Sequence, residues 1–167
     1  HSHIVTRFDK DLSEIESLLV EMADLVAKQI RDSAKALQLG DDKLAKTVTK
    51  NDSKINRLEE KIDDKAIRLI ALRQPMAEDL RSAITTLKVS NCLERMGDYA
   101  KTLSYRARKI DDFSAMKSIL RSITETSEKI INMLNVVMES YVNRDLNKAY
   151  DAREADQEIN DKTDALF

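Results

Sequence analysis

Two glycines and one proline in 167 residues leave this chain very few places at which it can turn sharply. Sheet architectures need frequent turns, whereas long helices avoid both residue types in their interiors. Apolar side chains recur at steps of three and four from Phe8 to Ile30, which is the period of one helical stripe. The sequence therefore predicts an all-α protein built from a few long helices.

Breaks in the apolar pattern divide the chain into five predicted helices. Gly40 supplies a helix C-terminus, and the Asp41-Asp42 pair that follows supplies an N-cap. Pro75 disfavours helix for the residue before it but suits a first turn, so the third helix is predicted to start near Met76. The predicted helices cover approximately 8–39, 42–73, 76–110, 114–142 and 146–167.

An internal repeat relates the two ends of the chain. A shift of 104 positions aligns Asp52 with Asp156, Ile55 with Ile159 and Asn56 with Asn160. Helices one and two therefore recur as helices four and five. This pattern predicts a first three-helix repeat over 1–110 and the first two helices of a second repeat over 111–167. Because two helices leave apolar stripes uncovered, we expect a third helix or a partner to complete the second repeat.

Helix two segregates its charges when its residues are placed at 100° intervals. Cations occupy much of the side that faces away from the core. These cations, which we call the basic face, are Lys50, Lys54, Arg57, Lys61, Lys65 and Arg68. A narrow arc beside the core carries Asp52, Asn56, Glu59 and Asp63 instead.

Helix three carries a second line of carboxylates. Glu94 and Asp98 are four residues apart, so both lie on one face, beside a helical glycine, Gly97, that would let a neighbouring helix or a ligand approach closely. An all-oxygen site on two helices favours Mg²⁺, Ca²⁺, Mn²⁺ or iron over the tetrahedral zinc sites that Cys and His form. The alternative is that both acidic lines are solvated faces, as most charge runs are.

The chain contains the segments IALRQPMAEDLR at 70–81 and LERMGD at 93–98. These two motifs resemble the PhoU family of bacterial phosphate-signalling regulators. The resemblance covers nearly the whole chain. It implies tandem three-helix bundles with spectrin-like packing, of which the second is incomplete in this chain.

The resemblance also implies metal ligands, because E(D)xxxD motifs bind metal ions in that family. Two segments match the motif, Glu59-xxx-Asp63 and Glu94-xxx-Asp98, and Asp52 lies on the same stripe. In the second repeat Asp156 and Asn160 are kept, but Thr163 and Phe167 replace the Glu and Asp of the first motif. The expected ligands are therefore Asp52, Asn56, Glu59, Asp63, Glu94, Asp98, Asp156 and Asn160, for a divalent or trivalent ion (Mg, Mn, Fe or Zn).

The function implied by the resemblance is a non-enzymatic, cytoplasmic regulator that keeps the phosphate-starvation response off. Its implied partners are the ATPase of a phosphate transporter and a membrane sensor histidine kinase, and a homo-oligomer such as a dimer is expected. The only histidines are His1 and His3, so the body of the chain cannot form a Ser-His or Cys-His pair. A net charge of −2 indicates no nucleic-acid partner, and no block of Lys/Arg points to an anionic membrane surface, so the chain is expected to be peripheral to a membrane at most. The alternatives are a metal-dependent phosphohydrolase, a metal-buffering bundle, and a structural helical adaptor.

Overall fold

The computed structural model describes residues 6–107 and 113–145, which form four helices and no strand. The all-α prediction is confirmed. The predicted fifth helix lies outside the described residues, as do Asp156 and Asn160. Within the described ranges, no helix has a stretch both long enough and apolar enough to span a bilayer. The helices are α1 (Arg7–Leu39), α2 (Asp42–Arg73), α3 (Glu78–Ala107) and α4 (Phe113–Val142).

Local capping signals set the ends of the first two helices. At the start of α1, Thr6 and Asp9 form a reciprocal capping box that satisfies two otherwise unpaired backbone N–H groups. Gly40 ends α1 with a left-handed φ of 63°, a conformation that glycine adopts without strain. Asp41 then caps α2 by accepting a 3.0 Å hydrogen bond from the Leu44 backbone N–H. This turn is the one predicted from the Gly-Asp-Asp sequence.

The connection between α2 and α3 differs slightly from the prediction. Gln74 ends α2 with a left-handed φ of 45°, and Ala77 has a left-handed φ of 51°. Helix α3 therefore begins at Glu78 rather than near Met76, because a residue with positive φ cannot be part of a right-handed helix. No glycine or asparagine marks either position in the sequence, so the extra turn had no local signal.

Helices α1, α2 and α3 each pack against the other two and form a three-helix bundle. The predicted stripe of α1 is buried along its length, and Ile55 and Ile62 of α2 are fully buried against it. The apolar side chains of Leu93, Met96 and Leu103 on α3 are buried as well. Burial of such side chains is the main favourable term in the stability of the bundle.

Helix α4 packs antiparallel to α1 and α3 and contacts both. Its Tyr141 is completely buried, and the tyrosine hydroxyl lies 2.6 Å from the hydroxyl of Thr86 on α3. Tyr99 follows Thr86 by thirteen residues on α3, and its hydroxyl lies 3.1 Å from the Ser127 hydroxyl of α4. These two bonds fix the register of α4, because an unpaired buried hydroxyl is costly. The assignment of α4 to a second repeat stays a prediction.

Candidate metal-binding carboxylate cluster

A close contact between α2 and α3 brings the two predicted acidic lines together. A Cβ atom at Gly97 would lie 3.2 Å from Cδ1 of Ile55, so a side chain here would require Ile55 of α2 to shift, and α2 and α3 are in close contact at this glycine. The prediction that Gly97 lets a neighbouring helix approach closely is therefore confirmed. The carboxylates beside the contact, which we call the carboxylate cluster, are Asp52, Glu59 and Asp63 of α2 and Glu94 and Asp98 of α3.

Asp52 is the most buried member of the cluster, with only 4% of its surface exposed. Its Oδ2 atom lies 3.3 Å from Nζ of Lys101 on α3, and it also accepts a 3.5 Å hydrogen bond from Nδ2 of Asn56. The Lys101 side chain is half exposed, at 49%. The charge of this buried carboxylate is therefore balanced by a cation that reaches it from the edge of the cluster.

Glu59 and Asp63 are half-buried, and each has one buried oxygen with no hydrogen-bond partner, namely Oε2 and Oδ1 respectively. Burial raises the pKa of Glu59, and the charges of Asp63, Asp98 and Glu60 raise it further. Burial also raises the pKa of Asp63, an effect that the nearby Ser90 hydroxyl partly offsets. A buried oxygen without a partner costs free energy, so these two atoms require a proton, a water or a cation.

Glu94 is the most perturbed carboxylate of the cluster. Its pKa rises from 4.5 to about 7, first because of burial and then because of its hydrogen bond and charge interaction with Asp98. The charges of Glu59 and Asp52, across the contact between the helices, raise it further. The acidic lines of α2 and α3 therefore form one interacting group of like charges rather than two independent solvated faces.

The oxygen donors of the carboxylate cluster are of the type that hard cations prefer. Among the residues that the structure describes, no three Asp, Glu, Cys or His side chains converge on a single point as they stand. Magnesium is commonly bound through one or two carboxylates while it keeps several waters, and such coordination needs no third protein ligand. The two unpartnered oxygens and the all-oxygen donor set thus fit an ion of this class. When bound, the ion would supply the positive charge that the cluster lacks.

The predicted ligands differ in how deeply they are buried at the contact between α2 and α3. Asp52, Glu59, Asp63 and Glu94 are buried or half-buried at the contact, whereas Asn56 and Asp98 are exposed at its rim. Asp156 and Asn160 remain predictions, because they lie outside the described residues.

Sequence reasoning missed two residues of this site, Lys101 and Ser90. Lys101 is three residues beyond Asp98 and seven beyond Glu94, so it lies on the same face of α3. Helical spacing alone would have placed a cation at the edge of the acidic line. Ser90 is a smaller omission of the same kind, since it lies four residues before Glu94.

Comparisons with known proteins find similarity over this region and over most of the rest of the chain. The family model described as "PhoU domain" matches residues 19–107, which include the whole carboxylate cluster. A Caulobacter vibrioides protein is 34% identical over 165 residues, which are 99% of this chain and 72% of that protein. A Clostridium acetobutylicum protein is 34% identical over 161 residues, 96% of this chain and 73% of the relative. Both are named "Phosphate-specific transport system accessory protein PhoU homolog".

One solved structure shows the same arrangement of helices. The crystal structure of PhoU from Pseudomonas aeruginosa matches 93% of this chain and 75% of its own with a TM-score of 0.77. Sequence identity over this match is 28%. The similarity therefore extends through the three-helix bundle and into α4.

Proposed function

The chain belongs to the PhoU family, and on that premise we propose that it is an accessory protein of a phosphate transport system that regulates phosphate uptake. The observation that carries this proposal is the match to curated relatives over nearly the whole chain, since both relatives bear that name. The relatives are named as accessory proteins and not as enzymes. We therefore assign this chain a binding role rather than a catalytic one.

The finer proposal is that the chain links the transporter ATPase to a sensor histidine kinase. In this role it keeps the phosphate-starvation response off while phosphate is plentiful, and it acts in the cytoplasm. Support comes from the LERMGD and RQPMAEDLR motifs, which are the segments that carry the family resemblance. A helical bundle with a long exposed surface suits such a role, because it can present different faces to two partners.

We further propose that the carboxylate cluster binds metal ions and that the bound ions stabilise the face formed by α2 and α3. Two observations support this proposal, the unpartnered oxygens of Glu59 and Asp63 and the raised pKa of Glu94. A cation between the helices would relieve the repulsion among their carboxylates and hold the helices at a fixed spacing. Metal binding would then favour the form of this face that a partner recognises.

Metal analysis of protein purified without chelator tests the site. We expect bound metal in the wild type, little in an Asp63→Ala/Asp98→Ala variant, and wild-type content in a matched Glu21→Ala/Asp24→Ala control. The control removes two exposed carboxylates outside the cluster. Equal metal content in all three proteins would contradict the proposed site. Phosphoester turnover that depends on the same two cluster residues would favour a phosphohydrolase instead.

Binding to the transporter ATPase and to the kinase tests the regulatory role separately. We expect the purified chain to retain both proteins in a pull-down assay. A chain that retains neither would contradict the proposed regulatory function, whatever its metal content. This result is independent of the metal analysis, so each proposal can fail alone.

A further inference from the structure

The six cations of the basic face form no contiguous block in the sequence, but on α2 they share one exposed surface. All six of its side chains are exposed, from Lys50 to Arg68. In the part of the chain that the structure describes, none of the six forms an ion pair with a carboxylate. One of them, Arg57, donates from Nε to the backbone carbonyl of Ser53 at 3.3 Å. These cations are therefore available to an external anion.

The arrangement is unfavourable for the helix itself. Successive members of the basic face are three or four residues apart, and like charges at these spacings destabilise a helix. A helix that needs only solubility usually alternates charge signs so that such neighbours attract. On α2 the carboxylates lie elsewhere. Asp42 pairs with Lys46 in the first turn, Glu60 and Asp64 lie along one edge of the basic face, and the others lie at the contact with α3. This segregation is better explained by an anionic partner than by solvation alone.

The shape of the surface indicates which anionic partner it fits. The basic face extends for about 27 Å along one helix, at 1.5 Å per residue. It lies on the outside of the bundle, because α2 contacts only α1 and α3 among the described helices. There is no aromatic residue anywhere in α2, so bases of single-stranded nucleic acid would find nothing to stack on. A straight, convex row of cations matches a flat anionic surface.

Two exposed apolar side chains lie at the C-terminal end of this row. Leu72, four residues beyond Arg68 on the same side of the helix, is 69% exposed. Met76, in the turn that follows α2, is 81% exposed. Cations beside exposed apolar side chains are the combination by which proteins bind to anionic lipid interfaces. A soluble acidic partner would need the cations but not this apolar end.

We propose that the basic face of α2 binds the surface of membranes that contain anionic lipids, with Leu72 and Met76 inserted among the lipid headgroups. This binding goes beyond the proposed function, because it requires neither the transporter nor the kinase. Each Lys or Arg close to such a surface contributes enough to change binding about fivefold. Neutralising three of the six cations should therefore weaken binding on the order of 100-fold. Salt should weaken the binding as well, because it screens exposed charges.

Sedimentation with lipid vesicles tests the proposal on the full chain. One set of vesicles contains phosphatidylcholine alone and the other contains about one third phosphatidylglycerol. We expect binding only to the anionic vesicles, a loss on the order of 100-fold for Lys54→Gln/Lys61→Gln/Lys65→Gln, and a smaller loss for Leu72→Gln/Met76→Gln. Circular dichroism checks that each variant retains its helical content.

A charge-matched control separates the basic face from net charge. The Lys28→Gln/Lys35→Gln/Lys129→Gln variant loses three exposed lysines of α1 and α4, and it should bind as the wild type does. Equal losses in the two triple variants would overturn the proposal, as would equal binding to both kinds of vesicle. Binding to soluble polyglutamate but not to anionic vesicles would also overturn it, and would assign the basic face to an acidic protein partner. Displacement by inorganic phosphate beyond that by chloride at equal ionic strength would assign it to free phosphate.

Discussion

Replacing Glu94 by Gln should stabilise the metal-free protein at alkaline pH. The pKa of Glu94 is about 7 in the folded chain and 4.5 without the fold, so the folded state binds this proton more tightly. Stability from this group is fully present below pH 4.5 and is lost as the pH rises through 7. Above pH 7 the ionised carboxylate opposes folding, and glutamine removes this penalty while it keeps the side-chain shape.

The magnitude follows from the pKa difference. Each tenfold change in proton affinity is worth about 1.4 kcal/mol, so a rise from 4.5 to about 7 corresponds to about 3 kcal/mol at most. Glu94 is only half-buried, and solvent screens its interactions with Asp98 and with the carboxylates of α2. We therefore expect Glu94→Gln to raise the free energy of unfolding by about 1 kcal/mol at pH 8 and by much less at pH 5.

Urea unfolding followed by far-ultraviolet circular dichroism measures this difference in the presence of a chelator. A Glu14→Gln variant, which changes an exposed glutamate of α1, should show no pH-dependent gain. Saturating Mg²⁺ or Mn²⁺ should stabilise the wild type at pH 8 more than it stabilises Glu94→Gln, since the variant has lost a ligand charge. A Glu94→Gln variant that is less stable than the wild type at pH 8 without metal would refute the reasoning.

Three further substitutions test separate contacts by urea unfolding. Lys101→Met removes the cation beside the buried Asp52, and it should lower the free energy of unfolding by about 1–3 kcal/mol at pH 8 without metal. Added Mg²⁺ should reduce this loss. An unchanged stability would show that this ion pair is dispensable. Thr86→Val leaves the buried hydroxyl of Tyr141 without its partner and should cost about 1–2 kcal/mol, whereas a neutral result would mean that water replaces the threonine. Gly97→Val should lower the free energy of unfolding by about 1–3 kcal/mol, because even a Cβ at this position would lie 3.2 Å from Ile55 of α2. A variant that is more stable than the wild type would disprove the close contact.

Features with a local chemical signal were predictable from the sequence. The turn between α1 and α2 was predicted because Gly40 accepts a left-handed φ and Asp41 caps the following helix. The start of α3 was misplaced because Gln74 and Ala77 take left-handed conformations that their residue types do not announce. Such conformations are imposed by the packing of the flanking helices rather than by the residues themselves.

The candidate site could be predicted from the sequence only in part. Helical spacing alone placed Glu94 and Asp98 on one face, and it separated the carboxylates of α2 from its lysines. What spacing cannot give is the distance between the two helices, which depends on the packing of Ile55 against Gly97. The raised pKa of Glu94 follows first from the burial that this packing produces, then from Asp98 on the same helix, and then from the carboxylates of α2, so it became visible only in the folded chain.

The position of α4 shows a further limit. The sequence pattern predicted that this helix exists, but it did not predict that α4 would bury side chains such as Ile130 and Leu134 in the core of the described helices. Its register against α3 depends on hydrogen bonds between residues far apart in the sequence, such as Tyr141 with Thr86. A single sequence contains no signal for such pairs, because each hydroxyl could find many partners.

Binding of the transporter ATPase with and without metal tests the account most directly. The account predicts that metal-loaded protein binds the ATPase and that chelator weakens this binding. It also predicts that Asp63→Ala/Asp98→Ala binds weakly under both conditions, while Glu21→Ala/Asp24→Ala behaves as the wild type does. Binding that is equally strong in all three proteins, with or without chelator, would contradict the proposed link between the carboxylate cluster and partner recognition.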